Sequence, residues 1–156
     1  MDNVVLRGYL SHSIRGRKGN QCTQEEITYN CSKAAADGTS LMGFLQRAGL
    51  PVTLYIPGAQ DTFIQKAYRA GRITEEGILQ TDCDIIADCD FLLIYDWDNY
   101  MSGGMQYEAN FAGTSEIPTY VIHELTQLEV WKLQQSLLGL LIEKVESPHI
   151  IKLEKL

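Results

Sequence analysis

The sequence has few of the residues that build metal centres and disulfide frameworks. Its 156 residues include only 4 cysteines and 3 histidines. No two of the cysteines have the C-x-x-C spacing of a zinc site, and no histidines stand close to them in the sequence. This pattern predicts free thiols that pack as small apolar groups, and it gives no indication of a bound metal. The four cysteines are Cys22, Cys31, Cys83 and Cys89.

Basic residues and long apolar runs are also scarce. Lysine and arginine number 13 against 20 acidic residues, which gives a net charge of -7. This balance argues against binding of polymeric nucleic acid, but one arginine and a few backbone N–H groups suffice for a single phosphate monoester. No apolar run approaches the roughly 20 residues of a membrane helix. Because Met1 to Asn3 lead directly into a strand-like run, we expect no targeting segment and a single cytoplasmic domain over residues 1–156.

Short apolar runs alternate with helical patterns along the chain. The predicted strands are residues 4–10, 52–56, 91–95 and 117–122, with a possible edge strand in 149–156. The predicted helices are residues 23–49, 60–70, 74–89, 105–113 and 124–145. This alternation predicts an α/β fold, a Rossmann-like open and mainly parallel sheet of about five strands with helices on both faces.

The last predicted helix carries more apolar surface than one side of a small sheet needs. Leucines and Trp131 are spread around it. We expect the surplus to form a homodimer face, and the alternative is a helix that is packed in the core on all sides.

The stretch from Asp96 to Ala112 reads as the end of a strand, a glycine turn and the start of a helix that carries Glu108. In open α/β sheets, ligands bind where strands end, so this carboxylate is a candidate for catalysis. The alternative is a solvated glutamate that the helix dipole favours near the N-terminus. Asp82 falls on the apolar face of the preceding helix, where a carboxylate must be paired, hydrogen-bonded or exposed at a cleft.

The loop after the first strand holds the densest basic charge of the chain, with Arg15, Arg17 and Lys18. It is either an anion site or a solvated, flexible loop. Two carboxylates, a tyrosine, serines and an arginine at neighbouring strand ends together suit cleavage of a glycosidic bond in a phosphorylated sugar.

These residues resemble a known family. Tyr9 followed by Ser13-Ile14-Arg15-Gly16-Arg17, then Asp82, then Ser102, Gly104, Tyr107 and Glu108 are similar to the motifs of the 2′-deoxynucleoside 5′-monophosphate N-glycosidases, in the nucleoside 2-deoxyribosyltransferase superfamily. The resemblance extends from Val4 to about Ile122. It implies a Rossmann-like fold, a dimer with sites near the subunit interface, a small nucleotide substrate, and neither a metal nor an organic cofactor.

The resemblance also implies a role for each matching residue. Glu108 would be the nucleophile on the anomeric carbon, Tyr9 would orient it, and Asp82 would act as the acid or position the sugar. The 5′-phosphate pocket would consist of Ser13, Ile14, Arg15, Gly16 and Ser102, and Gly104 would let the backbone approach the nucleotide.

The expected activity is therefore hydrolysis of the N-glycosidic bond of a deoxynucleoside 5′-monophosphate. Three alternatives remain at this point: transfer of deoxyribose between bases on unphosphorylated nucleosides, a nucleotide sensor without catalysis, and a purely structural domain. The basic loop argues against the first, because an unphosphorylated sugar does not need Arg15.

Overall fold

A computed structural model describes residues 4–147. Four strands form one parallel sheet in the order β2-β1-β3-β4. The strands are β1 (Leu6–His12), β2 (Val52–Tyr55), β3 (Phe91–Tyr95) and β4 (Thr119–Ile122). The predicted α/β class with an open parallel sheet is confirmed, and the edge strand expected in residues 149–156 lies outside the described residues.

Five α-helices and two 3-10 turns connect and cover the strands. The helices are α1 (Gln24–Arg47), α2 (Asp61–Arg69), α3 (Glu75–Ala87), α4 (Gly103–Thr114) and α5 (Gln127–Glu146). The 3-10 turns are Gly16–Gln21 and Pro57–Gln60. A hydroxyl side chain caps the first turn of each helix except α2, and at α1 Thr23 and Glu26 form the capping box that the sequence predicts.

The two faces of the sheet have separate cores. Leucines from α1 and α5, among them Leu41 and Leu137, pack on one face with Leu10 of β1. On the other face, Tyr9 packs with residues of α3 and α4, among them Met105. Because successive strand residues point to opposite faces, odd-numbered residues of β1 from Tyr9 onward face α4.

The chain leaves β1 toward β2 on one side and leaves β3 toward β4 on the other, so the order of strands reverses between β1 and β3. Such a switch point opens a crevice at the carboxyl ends of the strands, where ligands of this architecture bind. The register pairs Ser11 with Ile94 and His12 with Tyr95 at this edge. The fold therefore brings the ends of β1 and β3, which are some 80 residues apart in the sequence, to one place.

Helix α5 has two apolar faces. Leu133 and Leu137 are buried against the sheet. The opposite face is exposed and carries Leu128, Trp131, Leu138, Ile142 and Val145. The alternative that the helix is packed in the core on all sides is therefore wrong for the isolated chain. Within residues 4–147, no helix combines the length and apolar character needed to cross a membrane.

Candidate active site

A cavity of about 320 Å³ opens at the carboxyl ends of β1 and β3. Residues from the loop after β1, from α2 and α3, and from the N-terminal turns of α4 line it. It contains most of the residues that the sequence singles out, namely Ile14, Arg15, Gly16, Asp82, Ser102, Gly104 and Glu108. The cavity thus lies at the switch point, and residues from four different segments share it.

Glu108 is the buried acidic residue of this cavity, with only 7% of its surface exposed. The hydroxyl of Tyr9 donates a hydrogen bond to its Oε1 at 3.0 Å. The hydroxyl of Ser11 donates a second bond to its Oε2. Both hydroxyls are buried and come from the same face of β1, so each carboxylate oxygen has one donor from a rigid strand. The alternative of a solvated helix glutamate is therefore wrong.

Burial raises the pKa of Glu108 from 4.5 to about 7, and the negative charge of Asp82 adds to the effect, while the Ser11 and Tyr9 hydroxyls oppose it. Burial also raises the pKa of Asp82 to about 6, and the hydroxyl of Tyr9 offsets part of that shift. The pKa of Tyr9 is raised strongly, by burial first and then by the charge of Glu108. Tyr9 therefore remains a protonated hydrogen-bond donor at every physiological pH.

Asp82, a half-buried residue of α3, lines the cavity, which is one of the three placements that the sequence left open. Asp82 and Glu108 lie close enough for the charge of one to raise the pKa of the other. The pKa values of about 6 and about 7 mean that the pair holds about one proton between pH 6 and 7, with the larger share on Glu108. One carboxylic acid and one carboxylate are thus present together, as acid–base chemistry requires.

The basic loop forms one rim of the cavity. The Nη1 of Arg15 donates to Oδ1 of Asn20 at 3.2 Å and lies 3.9 Å from Oε1 of Glu75 at the start of α3. The hydroxyl of Ser13 does not point into the cavity, because it accepts a hydrogen bond from the backbone N–H of Gly16 at 2.8 Å. Ser13 therefore shapes the loop, and its predicted contact with phosphate remains a prediction.

Arg17 has another role than its neighbour. Its Nη2 donates to the backbone oxygens of Asp98 and Asn99 at 3.1 and 2.9 Å, and its guanidinium lies 5.4 Å above the ring of Tyr100. Since Tyr100 and Gly16 both line the cavity, Arg17 ties the two loops that form its mouth. The loop is thus a 3-10 turn with defined partners.

The N-terminus of α4 forms the other rim. Ser102 caps the helix, with its hydroxyl accepting from the N–H of Met105 at 3.2 Å. Ser102, Gly103 and Gly104 line the cavity, and the backbone of a helix N-terminus favours anions. A Cβ at Gly104 would come no closer than 3.6 Å to Leu79, which is an ordinary contact, so the close approach of a nucleotide to this backbone remains a prediction.

The remaining wall is largely apolar. Ile64 and Tyr68 come from α2, Ile78 and Leu79 come from α3, and Gln65 adds one amide. Segment 57–74, whose function the sequence left open, thus supplies one side of the cavity through α2.

The sequence analysis does not identify several residues of the site, among them Ser11 and His12. Ser11 could have been predicted from the sequence, because residues two apart on a strand share a face and Tyr9 is already a candidate. His12 gave no signal in the sequence, since its Nε2 accepts from the N–H of Gly58, which is 46 residues away, at 3.0 Å. Burial lowers the pKa of His12 to about 4, so this ring is neutral when it holds the turn after β2 against β1.

Fold and site together define a doubly wound parallel α/β domain with a carboxylate pair at its switch point. Within residues 4–147, no group of three or more His, Cys, Asp or Glu side chains is arranged to hold a metal ion. No protein-family model, no curated protein and no solved structure matches the chain.

Proposed function

We propose that this protein hydrolyses the N-glycosidic bond of (deoxy)nucleoside 5′-monophosphates and releases the free base and (deoxy)ribose 5-phosphate. The observation that carries the proposal is the environment of Glu108. Its two oxygens each accept a hydroxyl donor, Asp82 stands beside it, and both acids line a cavity that also contains Arg15. A nucleophile, an acid and a site for an anion are the parts that this reaction needs.

The reacting form is the one in which the proton shared by the two acids has moved from Glu108 to Asp82. In the proposed reaction, an oxygen of ionised Glu108 then attacks the anomeric carbon while the bond from that carbon to the base nitrogen breaks. The base leaves with the electron pair of that bond and takes the proton of Asp82. Water then cleaves the glycosyl ester, with the Asp82 carboxylate accepting its proton, and Glu108 is free again. The hydroxyls of Tyr9 and Ser11 favour the ionised form of Glu108 that begins this sequence.

The two ends of the cavity are spaced to suit a sugar phosphate. Glu75, the first residue of α3, lies beside Arg15, and Asp82 comes seven residues later on the same helix. At 1.5 Å per residue the two positions are roughly 10 Å apart along the axis. A phosphate at Arg15, Gly16 and the N-terminus of α4 would therefore leave the sugar near the carboxylates. This spacing favours a phosphorylated substrate.

The test is incubation with a panel of nucleoside and deoxynucleoside 5′-monophosphates, followed by chromatography of the free bases. We expect release of base by the wild type and loss of release in Glu108→Ala. Glu143→Gln, a change at an exposed acidic residue of α5, is the control for folding and handling. Folded wild-type protein that releases no base from any compound refutes the proposal, as does a Glu108→Ala variant with full activity.

The same assay separates the alternatives. With a second free base present, a deoxyribosyltransferase forms a new nucleoside, whereas a hydrolase forms only the sugar phosphate. A nucleotide sensor without catalysis would bind the same compounds, show no turnover, and keep its affinity in Glu108→Ala. The position of Arg15 in the cavity is the observation that favours the hydrolase over the transferase.

We also propose that the protein is a homodimer through α5. The exposed residues Leu128, Trp131, Leu138, Ile142 and Val145 follow one another at intervals of three, seven, four and three residues, which places them on one face of the helix, as in a helix–helix seam. Sedimentation analysis should give a dimer for the wild type and a monomer for Trp131→Glu, with Lys132→Glu, beside the seam, still dimeric. A monomeric wild type at micromolar concentration contradicts this proposal.

A further inference from the structure

We infer that Ser11 is a positioning residue for the nucleophile, a second hydroxyl that fixes Glu108 in one orientation and favours its ionised form. The inference rests on the proposed function in one respect, the role of Glu108 as nucleophile. The hydrogen bond from Ser11 to Glu108 does not depend on the proposed function, since it is part of the fold.

The geometry leaves the Ser11 hydroxyl little other purpose. Its residue is 0% exposed, and the bond goes to Oε2 of Glu108, the oxygen that Tyr9 does not hold. Its backbone lies in the ladder between β1 and β3, opposite Ile94, so the hydroxyl is presented from a rigid element. A carboxylate that accepts a hydrogen bond at each oxygen cannot rotate about its terminal bond, whereas one that is hydrogen-bonded only to Tyr9 can.

The charges around Glu108 make the Ser11 hydroxyl important for stabilising its ionised form. The titratable groups that face it are Tyr9 on β1 and Asp82 and Cys83 on α3. In the part of the chain that the structure describes, none of these neighbours is a cation. Ionised Glu108 is therefore stabilised by hydroxyl donors and opposed by Asp82 and by burial. Removal of one of two donors leaves a buried carboxylate half satisfied.

The first measurement is the pH profile of kcat/KM for Ser11→Ala. A hydrogen bond to a charged group corresponds to about one to two pH units, so we expect the acid limb to move up by that amount. Because Glu108 still becomes ionised at higher pH, the loss there should be smaller than at pH 6. Ser11→Cys, which keeps the size and a weak donor, should fall between wild type and Ser11→Ala. Ser32→Ala, at an exposed position of α1, is the matched control.

The second measurement does not depend on turnover. With carboxyl-labelled glutamate, the Glu108 resonance is identified by its loss in Glu108→Gln, and its titration midpoint is then compared between wild type and Ser11→Ala. We expect the midpoint to rise by about one to two pH units, matching the acid limb. Ser11→Cys serves for this measurement if Ser11→Ala does not fold.

The two measurements separate the two proposals. If the wild type releases no base but the titration midpoint of Glu108 rises in Ser11→Ala, the proposed hydrolysis is refuted, whereas the inference that Ser11 positions Glu108 is supported. If the wild type hydrolyses nucleotides and both the midpoint and the acid limb stay within 0.3 units of wild type (about twofold in proton affinity), the inference about Ser11 is overturned.

Discussion

Replacing Glu108 by glutamine should stabilise the protein at high pH but not at low pH. The pKa of Glu108 is raised from 4.5 to about 7 in the folded state, so the folded protein binds this proton more tightly than the unfolded chain does. Its contribution to stability is full below about pH 4.5 and is lost as pH rises through about 7. At about 1.4 kcal/mol per pKa unit, the loss by pH 8 amounts to about 3 kcal/mol.

Glutamine has nearly the same shape and carries no charge, so Glu108→Gln avoids this loss. For a chain of this size, about 3 kcal/mol corresponds to roughly 6 to 12 °C in Tm. We therefore expect calorimetry at pH 8 to show a Tm higher by that amount in the variant, and at pH 4.5 a difference near zero. Glu143→Gln, at an exposed position, should give no such trend. An equal Tm difference at both pH values would refute the link between burial of Glu108 and stability.

Three further changes have expected outcomes. Arg17→Ala should raise KM about tenfold for nucleotides and for unphosphorylated nucleosides alike, because it loosens the cavity mouth. Arg15→Ala should raise KM for nucleotides alone. Steady-state kinetics with both substrate types is the measurement, and an effect of Arg17→Ala on nucleotides alone would contradict this prediction. Gly58→Ala should cost about 1–3 kcal/mol in urea unfolding, since a Cβ there would meet a backbone oxygen at 2.7 Å. Lys144→Met should lower the free energy of unfolding by about 1 kcal/mol in the same assay, because Asp90 loses the hydrogen bonds from Lys144 Nζ at 2.8 and 2.9 Å. Unchanged urea midpoints would contradict the predictions for Gly58→Ala and Lys144→Met.

The strands could be predicted from the sequence because apolar runs between turn residues are a strong local signal. Phe91–Tyr95 has the predicted bounds. The first strand ends two residues later than predicted, at His12, because Ser11 and His12 are polar and local hydropathy marks them as loop. They are buried because α4 and the turn after β2 cover them, which are contacts from distant parts of the chain.

The start of the last helix also differs from the start that local sequence patterns predict. Apolar periodicity placed the beginning at Glu124, whereas the helix begins at Gln127 after the cap Thr126. The hydroxyl of Thr126 accepts from the N–H of Glu129, whose carboxylate in turn accepts from the N–H of Glu124. These hydrogen bonds stabilise a turn before the helix, and periodicity does not report them.

For the site, the sequence identified residue types better than it identified roles. A carboxylate on an apolar helix face is costly, so the sequence predicts that Asp82 is paired, hydrogen-bonded or exposed at a cleft, and the structure places it in the lining of the cavity. Arg15 and Arg17 looked alike as neighbouring cations, yet one lines the cavity and the other binds a loop 81 residues away. Their difference depends on tertiary contacts, so no local pattern could separate them.

The burial that raises the pKa of both acids also reconciles an acidic cavity with a phosphorylated ligand. Glu75, Asp82 and Glu108 face a single cavity arginine, Arg15, within the described lining, and this balance would repel a phosphate if all three acids were ionised. Between pH 6 and 7, however, Asp82 and Glu108 hold about one proton between them, so the negative charge in the cavity is reduced. Binding of a dianion should therefore weaken as pH rises above about 7, where this proton leaves. The higher pKa places this proton mainly on Glu108, and in the proposed reaction its transfer to Asp82 gives both the ionised nucleophile and the protonated acid, which couples binding and chemistry through one titration.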